Sequence, residues 1–233
     1  MRARRSRAYV LGMTDTVSAD VRDAHPSRLW TRIFASLYDS SLWLGEIAGM
    51  RKRRSLLLAD AYGRVVEIGA GTGLNVACYG GAVTELILTE PDPSMRRRLE
   101  RTVQHSDRPA RIVDAPAERL PFADSSVDTV VSTLVLCTVD DPARTLEEIA
   151  RVLRPEGQLL FVEHVRASSR LLAAVQDLMF RPWRAFAAGC RCNRRTVELL
   201  GDCGFDVEAE GAVWRCMPAV VRPIVVGRAT RRP

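Results

Sequence analysis

Two kinds of apolar spacing follow one another along this chain. From Leu29 to about Ala61, residues Trp30, Ile33, Phe34, Leu37 and Tyr38 recur at intervals of three and four, which predicts an amphipathic helical segment. From Arg64 onward, short β-type runs fall near 64–69, 84–89, 111–114, 127–132, 158–164, 206–213 and 220–227, with helical patterns between most of them. In one of these helices Leu146, Ile149, Ala150 and Leu153 share a face; it closes on Arg151-Val152-Leu153-Arg154-Pro155-Glu156-Gly157, a stop signal before a strand over 158–162. Alternating strands and helices predict an α/β fold, a mostly parallel sheet covered on both faces with right-handed crossovers. The organisation expected is a mobile N-terminal extension (1–27), a helical segment (28–62) and a core domain (63–233).

Composition narrows the class. A chain of 233 residues with 47% hydrophobic and 27% charged residues suits one soluble globular domain with a full core. No apolar run approaches the roughly eighteen residues that span a bilayer. The basic start, Met1-Arg2-Ala3-Arg4-Arg5-Ser6-Arg7, is followed only by Ala8-Tyr9-Val10-Leu11-Gly12-Met13, too short for a secretory segment. A disordered tail, or a true start at Met13, is expected, with a cytoplasmic location.

The net charge of +6 gathers largely at the ends, in Arg2, Arg4, Arg5, Arg7, Arg228, Arg231 and Arg232, and Lys52 is the only lysine. The internal cluster Arg51-Lys52-Arg53-Arg54 reads as a solvated helix face, or else as a contact for an anionic partner such as a lipid headgroup or RNA. The six cysteines, Cys78, Cys137, Cys190, Cys192, Cys203 and Cys216, are expected to pack as small apolar residues rather than as disulfides. No metal site is expected either: Cys190-Arg191-Cys192 could be drawn with Cys203 and Cys216 as a zinc site, but the first pair is spaced more tightly than the usual zinc pair.

Chemistry concentrates in residues 66–73, Val66-Glu67-Ile68-Gly69-Ala70-Gly71-Thr72-Gly73. A β-type run ends in glycines at every second position, and Leu74-Asn75-Val76-Ala77 then reads as helical. Such glycines bring backbone close to a ligand, and a following helix would point its first N–H groups into the same space. Dinucleotide sites use Gly-x-Gly-x-x-Gly, whereas here the third glycine falls one residue early. Leu86-Ile87-Leu88-Thr89-Glu90 ends a second strand in an acid about twenty residues beyond Gly69, where a carboxylate accepts from ribose hydroxyls.

The Glu-x-Gly-x-Gly-x-Gly form resembles motif I of the class I S-adenosylmethionine (SAM) methyltransferases. Downstream, Ala117-Glu118-Arg119-Leu120-Pro121-Phe122, Ser126-Val127-Asp128-Thr129-Val130-Val131 and the 151–157 stop extend the resemblance over roughly residues 35–228. It implies a Rossmann-like, seven-stranded sheet ending in an antiparallel hairpin, with SAM as cofactor and the 28–62 helices, including Tyr38-Asp39, as a lid. It further implies a crevice lined by Gly69, Ala70, Gly71, Gly73, Asn75, Glu90, Pro91, Met95, Ala117, Glu118, Thr133 and Leu134. Glu67 would orient the SAM ammonium, Glu90 would hold the ribose, and Met95 and Leu134 would flank adenine. Relatives often carry an aspartate where this chain has Pro116, so a backbone carbonyl or Asp114 would have to read the adenine amino group. His164, in Glu163-His164-Val165, is the candidate base for an acceptor proton, or else a histidine bonded to nearby backbone; His25 and His105 sit in polar surroundings.

The acceptor is read by exclusion and by resemblance. Thr133-Leu134-Val135-Leu136-Cys137-Thr138 is apolar where base-amine methyltransferases carry an Asn/Asp-Pro-Pro-aromatic turn, and none of the cysteines follows a proline as in cytosine-C5 enzymes. Nucleic acid is therefore disfavoured. The 133–139 stretch, Glu163-His164-Val165, Pro182-Trp183 and Gly189-Cys190 resemble the methyltransferase-like alkyl thiol methyltransferases; quinone and phospholipid methyltransferases share the framework. A small lipophilic acceptor is expected, a thiol first, in a pocket of Trp183, Phe186 and Trp214, with peripheral membrane contact open. A non-catalytic SAM-binding regulatory subunit is the alternative of another class, and oligomeric state is left open.

Overall fold

The computed structural model describes residues 38–40 and 42–232. The expected extension over 1–27 and the helical positions 30–37 lie outside them. Seven strands form one sheet: β1 (Gly63–Ile68), β2 (Val83–Thr89), β3 (Arg111–Val113), β4 (Val127–Thr133), β5 (Leu153–His164), β6 (Phe205–Val213) and β7 (Pro223–Arg231). Their order is β3-β2-β1-β4-β5-β7-β6. The pairs from β3 to β5 are parallel, and β7 runs antiparallel to both β5 and β6.

Around the sheet lie α1 (Arg51–Leu58), α2 (Pro93–Gln104), α3 (Pro142–Val152), α4 (Arg170–Phe186) and α5 (Thr196–Asp202). Local sequence sets two of the starts. Asp92 accepts from the Ser94 and Met95 N–H groups, and Asp141 from that of Arg144, each followed by a proline that pre-sets the first turn. Before α1, a π-type turn over Glu46–Met50 is kinked at Gly49, whose φ of 129° favours glycine.

Successive strand residues point to opposite faces, so the core divides in two. Val66, Ile68, Ile149, Phe161 and Phe205 pack on one side, and Leu58, Val65, Leu88, Leu99 and Leu160 on the other. Full burial of residues 159–162 in β5 is what a strand covered on both faces requires.

The structure shifts three expected boundaries. β5 begins directly at Leu153 rather than at 158, with a register break opposite Val127 and Thr129 that absorbs the Arg-Pro-Glu-Gly turn. β7 starts at Pro223, because Val220 and Val221 belong to a 3₁₀ turn that is buried on its own account. The glycine-rich loop does not lead into an α-helix; residues 74–77 form turns and a 3₁₀ helix, Val76–Cys78, before Gly80-Gly81 reopens the chain. Loop N–H groups, not a helix N-terminus, therefore face the crevice.

Candidate active site

β1 sits between β2 and β4, so the crevice at its carboxyl end is the point where strand order reverses. Gly69, Gly71 and Gly73 have φ of 54°, 58° and 89°. A Cβ on Gly69 would lie 2.7 Å from Val135, and one on Gly73 would lie 2.9 Å from Leu99. Gly71 differs: among the described residues its nearest neighbour would be the Gly69 carbonyl at 4.0 Å, so none of them crowds its bare face. Two of these glycines thus serve internal packing, and the third leaves room for a bound molecule.

Bonds from three elements hold the loop. The Ala70 N–H donates to the Thr89 carbonyl at 2.9 Å, and the Thr102 hydroxyl to the Thr72 carbonyl at 2.7 Å. The Thr72 hydroxyl donates to Asp39 at 2.6 Å, tying the segment before α1 to the cradle.

Glu90 lies at the tip of β2, buried, and accepts from the Gly71 N–H and the Asp92 N–H, each at 2.8 Å. Burial raises its pKa above the ordinary carboxylate value, with those two N–H bonds opposing. Each oxygen already held by one N–H keeps further accepting capacity for a diol.

Glu67 lies near the carboxyl end of β1 and is buried. Asn75 donates to one of its oxygens at 2.9 Å and the Tyr79 hydroxyl to the other at 2.5 Å. Burial pushes its pKa up to about 7, against those two hydrogen bonds and the positive charge of Arg54. The Asn75 amide also donates to Thr133 at 3.0 Å and accepts from Arg54 at 3.0 Å. Arg54 is ion-paired with Glu46 at 3.1 Å and only 4% exposed. This corrects the reading of residues 51–54 as one solvated face: Arg51 and Lys52 are exposed, but Arg54 turns inward as the hub of a buried network.

The expected adenine side draws on the start of α2 and the loop after β3. Met95 is buried at the start of α2, while Pro91 is exposed and its carbonyl accepts from Arg96 at 3.2 Å. Asp114 pairs with Arg96 at 2.8 Å, and the Pro116 carbonyl accepts from the Arg119 N–H at 3.2 Å; each keeps further accepting capacity. Ala117 packs into the core with Leu120 and Phe122, and Glu118 follows it in a turn. Leu134 has a φ of 60° and packs against the Trp214 cluster.

At the tip of β5, His164 is buried and stacks on Trp214 with ring centroids 5.6 Å apart. Its Nδ1 lies 3.5 Å from both Cys137 Sγ and Cys190 Sγ, and among the described residues its ring bonds to no backbone group and its Nε2 has no hydrogen-bond partner. Hydrogen bonding to Cys190, with burial, raises the Cys137 pKa well above the usual thiol value. The neighbouring Glu163 accepts from the Ser132 hydroxyl at 2.7 Å and from the N–H groups of Val135, Leu136 and Cys137 at 3.0 Å each. Sequence reasoning missed the trio and Glu163. Cys137 and Cys190 stand 27 and 26 positions from His164, so no spacing motif joins them. The cysteines weighed from spacing do not converge, as Cys203 packs against the core and Cys216 is exposed.

Comparison with known proteins gives the same answer as the geometry. A methyltransferase-domain family profile matches residues 66–161. Human thiol S-methyltransferase TMT1B is 35% identical over 185 residues, covering 75% of this chain and 74% of its own. The Cereibacter sphaeroides phosphatidylethanolamine N-methyltransferase is 30% identical over 148 residues, covering 63% and 72%. A SAM-dependent methyltransferase structure from Thermotoga maritima superposes with a TM-score of 0.66 at 22% identity, over 88% of this chain and 99% of that one. The sheet with its antiparallel edge, the bare Gly71 and the carboxylate of Glu90 at the switch point fit a bound SAM, and the chain belongs to the class I SAM-dependent methyltransferases.

Proposed function

We propose that the methyl acceptor is a small lipophilic molecule, a thiol in the first instance. The observation that carries this reading is the wall beyond the cradle, where Cys137, Cys190 and Cys192 join Leu134, Trp183 and Met217 beside the His164–Trp214 stack. An apolar wall suits an acceptor of low polarity. The relatives named for thiol methylation support the choice.

SAM supplies a methyl group on a sulfonium, open to in-line displacement. The chain's residues contribute alignment and exclusion of water. Glu90 would accept from the ribose hydroxyls, the 69–73 backbone would admit the methionine part, and the Glu67–Asn75–Thr133 network would orient its ammonium. Leu134 and Met95 would flank the adenine. Holding two reactants in near-attack contact is worth several kcal/mol of barrier. A thiol must also lose its proton before it attacks, and the trio around His164 is the group placed to manage that loss. A radiolabelled-methyl assay against pooled thiols, phenols, quinones and phospholipids tests the reading, with label expected in the thiol pool.

A second reading, methylation of a quinone or phospholipid at a membrane surface, draws on one observation. Trp43, Leu44, Ile47 and Leu56 are exposed beside the exposed Arg51 and Lys52. Among the described residues no helix is long and apolar enough to cross a membrane, so contact would be peripheral. Co-sedimentation with anionic vesicles, weakened by Trp43→Ser with Ile47→Ser, would favour it. We place the chain in a reducing, cytoplasmic compartment, in keeping with its six unpaired thiols.

A further inference from the structure

We propose that Cys137, His164 and Cys190 bind a zinc ion through two thiolates and one imidazole, leaving a fourth position open. All three are buried, and their ligand atoms lie within 4.8 Å of one another. The spacing is that of a zinc coordination sphere. Bonds of about 2.3 Å to sulfur and about 2.0 Å to nitrogen, set tetrahedrally, put a sulfur and a nitrogen about 3.5 Å apart and two sulfurs about 3.8 Å apart. Here both sulfur–nitrogen separations are 3.5 Å and the sulfur–sulfur separation is 4.0 Å.

The surrounding structure holds the ligands where they are. Glu163 anchors the Cys137 N–H, and the Arg191 N–H donates to the Cys137 carbonyl at 2.7 Å, so the two cysteine loops are fastened together. Ala188 and Gly189 both take positive φ, 47° and 98°, immediately before Cys190. A left-handed alanine is strained, and such strain persists where surrounding structure needs it. Stacking on Trp214 fixes the plane of the imidazole. Zinc(II) with two thiolates and a neutral imidazole carries no net charge, which removes the main penalty of burying an ion. On binding, Cys137 and Cys190 each release one proton.

No further Cys, His, Asp or Glu among the described residues joins the trio. Three protein ligands with one open position is the arrangement of a reactive rather than a structural zinc site. Resting on the thiol reading above, the open position would take the acceptor. An alkyl thiol bound there loses its proton to solvent. Its sulfur then forms a bond to the methyl carbon as the sulfonium carbon–sulfur bond breaks, and the uncharged thioether leaves the metal.

The full chain, expressed with zinc and purified in a phosphine reductant, is assayed for metal by mass spectrometry and for SAM binding by calorimetry. We expect one zinc per chain, lost in Cys137→Ser and in Cys190→Ser while SAM binding persists, and retained in Cys216→Ser. Should the buried variants misfold, cobalt(II) added to the metal-free wild-type chain gives thiolate charge-transfer bands if the site exists. SAM-binding protein that takes up neither metal, or zinc that survives both cysteine substitutions, overturns the proposal. An alkyl thiol that shifts the cobalt bands supports the open position, and unchanged bands overturn that part. Metal bound with no thiol methylated would refute the acceptor reading and leave the zinc site standing.

Discussion

The Cys137 N–H donates to the Glu163 carboxylate at 3.0 Å, and the same carboxylate holds the N–H groups of Val135 and Leu136. A fully buried acid at the end of β5 therefore shapes the loop after β4, placing a thiol beside the histidine that follows that acid in sequence. Replacing Glu163 with glutamine puts an NH₂ where backbone donors converge. Each buried donor left unsatisfied costs about 1–3 kcal/mol, so Glu163→Gln should destabilise by at least about 2 kcal/mol in urea unfolding. A variant as stable as wild type would show that the loop keeps its shape without the carboxylate.

Glu90 joins the glycine loop to the tip of β2 through Gly71. Glu90→Ala removes both this hold and the acceptor for a ribose diol. SAM affinity, read by calorimetry, should fall by about 1–3 kcal/mol. Unchanged affinity would mean that the sugar is held elsewhere.

Arg54 and Arg51 separate a buried guanidinium from an exposed one. Arg54→Met strands the Glu46 carboxylate and the Asn75 carbonyl, and breaking a buried pair this way costs about 3–5 kcal/mol. Arg51→Ala should stay within about 0.5 kcal/mol, as surface substitutions do. Equal denaturation midpoints for the two variants would contradict the network.

Glu67 gives a pH signature. Its pKa is raised by burial from 4.5 to about 7, so between those values the folded chain keeps a proton that the unfolded chain has released. Stability from this group is therefore greatest at low pH and declines as pH rises through that window, by about 3 kcal/mol in all. Glu67→Gln keeps a partner for Asn75 and Tyr79 but does not titrate. The stability of wild type relative to this variant should thus fall between about pH 4.5 and pH 8. A pH-independent difference would place the charge of Glu67 in a better-solvated setting.

Much of the fold was legible because its signals are local. Alternating apolar runs marked every strand, and the glycines followed by Glu90 marked the switch point. What escaped depends on chain neighbours far apart in sequence. Whether Arg54 faces solvent is decided by Asn75, 21 residues away, and nothing in Arg-Lys-Arg-Arg distinguishes its last member. The trio of Cys137, His164 and Cys190 comes from three separate segments, so the sequence showed a histidine and scattered thiols but not their convergence. The helix expected after Gly73 failed for a nearer reason: Gly80-Gly81 leaves too short a stretch for more than a 3₁₀ turn.

The three loop glycines allow the cradle to be dissected. All have positive φ, so alanine at any of them is strained by about 1 kcal/mol or more. At Gly73 the added methyl would also press on Leu99 at 2.9 Å and Thr102 at 3.0 Å, so Gly73→Ala should lose about 2–4 kcal/mol of stability. At Gly71 the nearest atom among the described residues is the Gly69 carbonyl at 4.0 Å, and Gly71→Ala should cost only the backbone strain. Its methyl would stand in the space that SAM is expected to fill, so SAM affinity should drop by at least tenfold, about 1.4 kcal/mol. Thermal melts and calorimetry on both variants give the comparison. A Gly71→Ala chain that binds SAM normally would move the cofactor off this loop face.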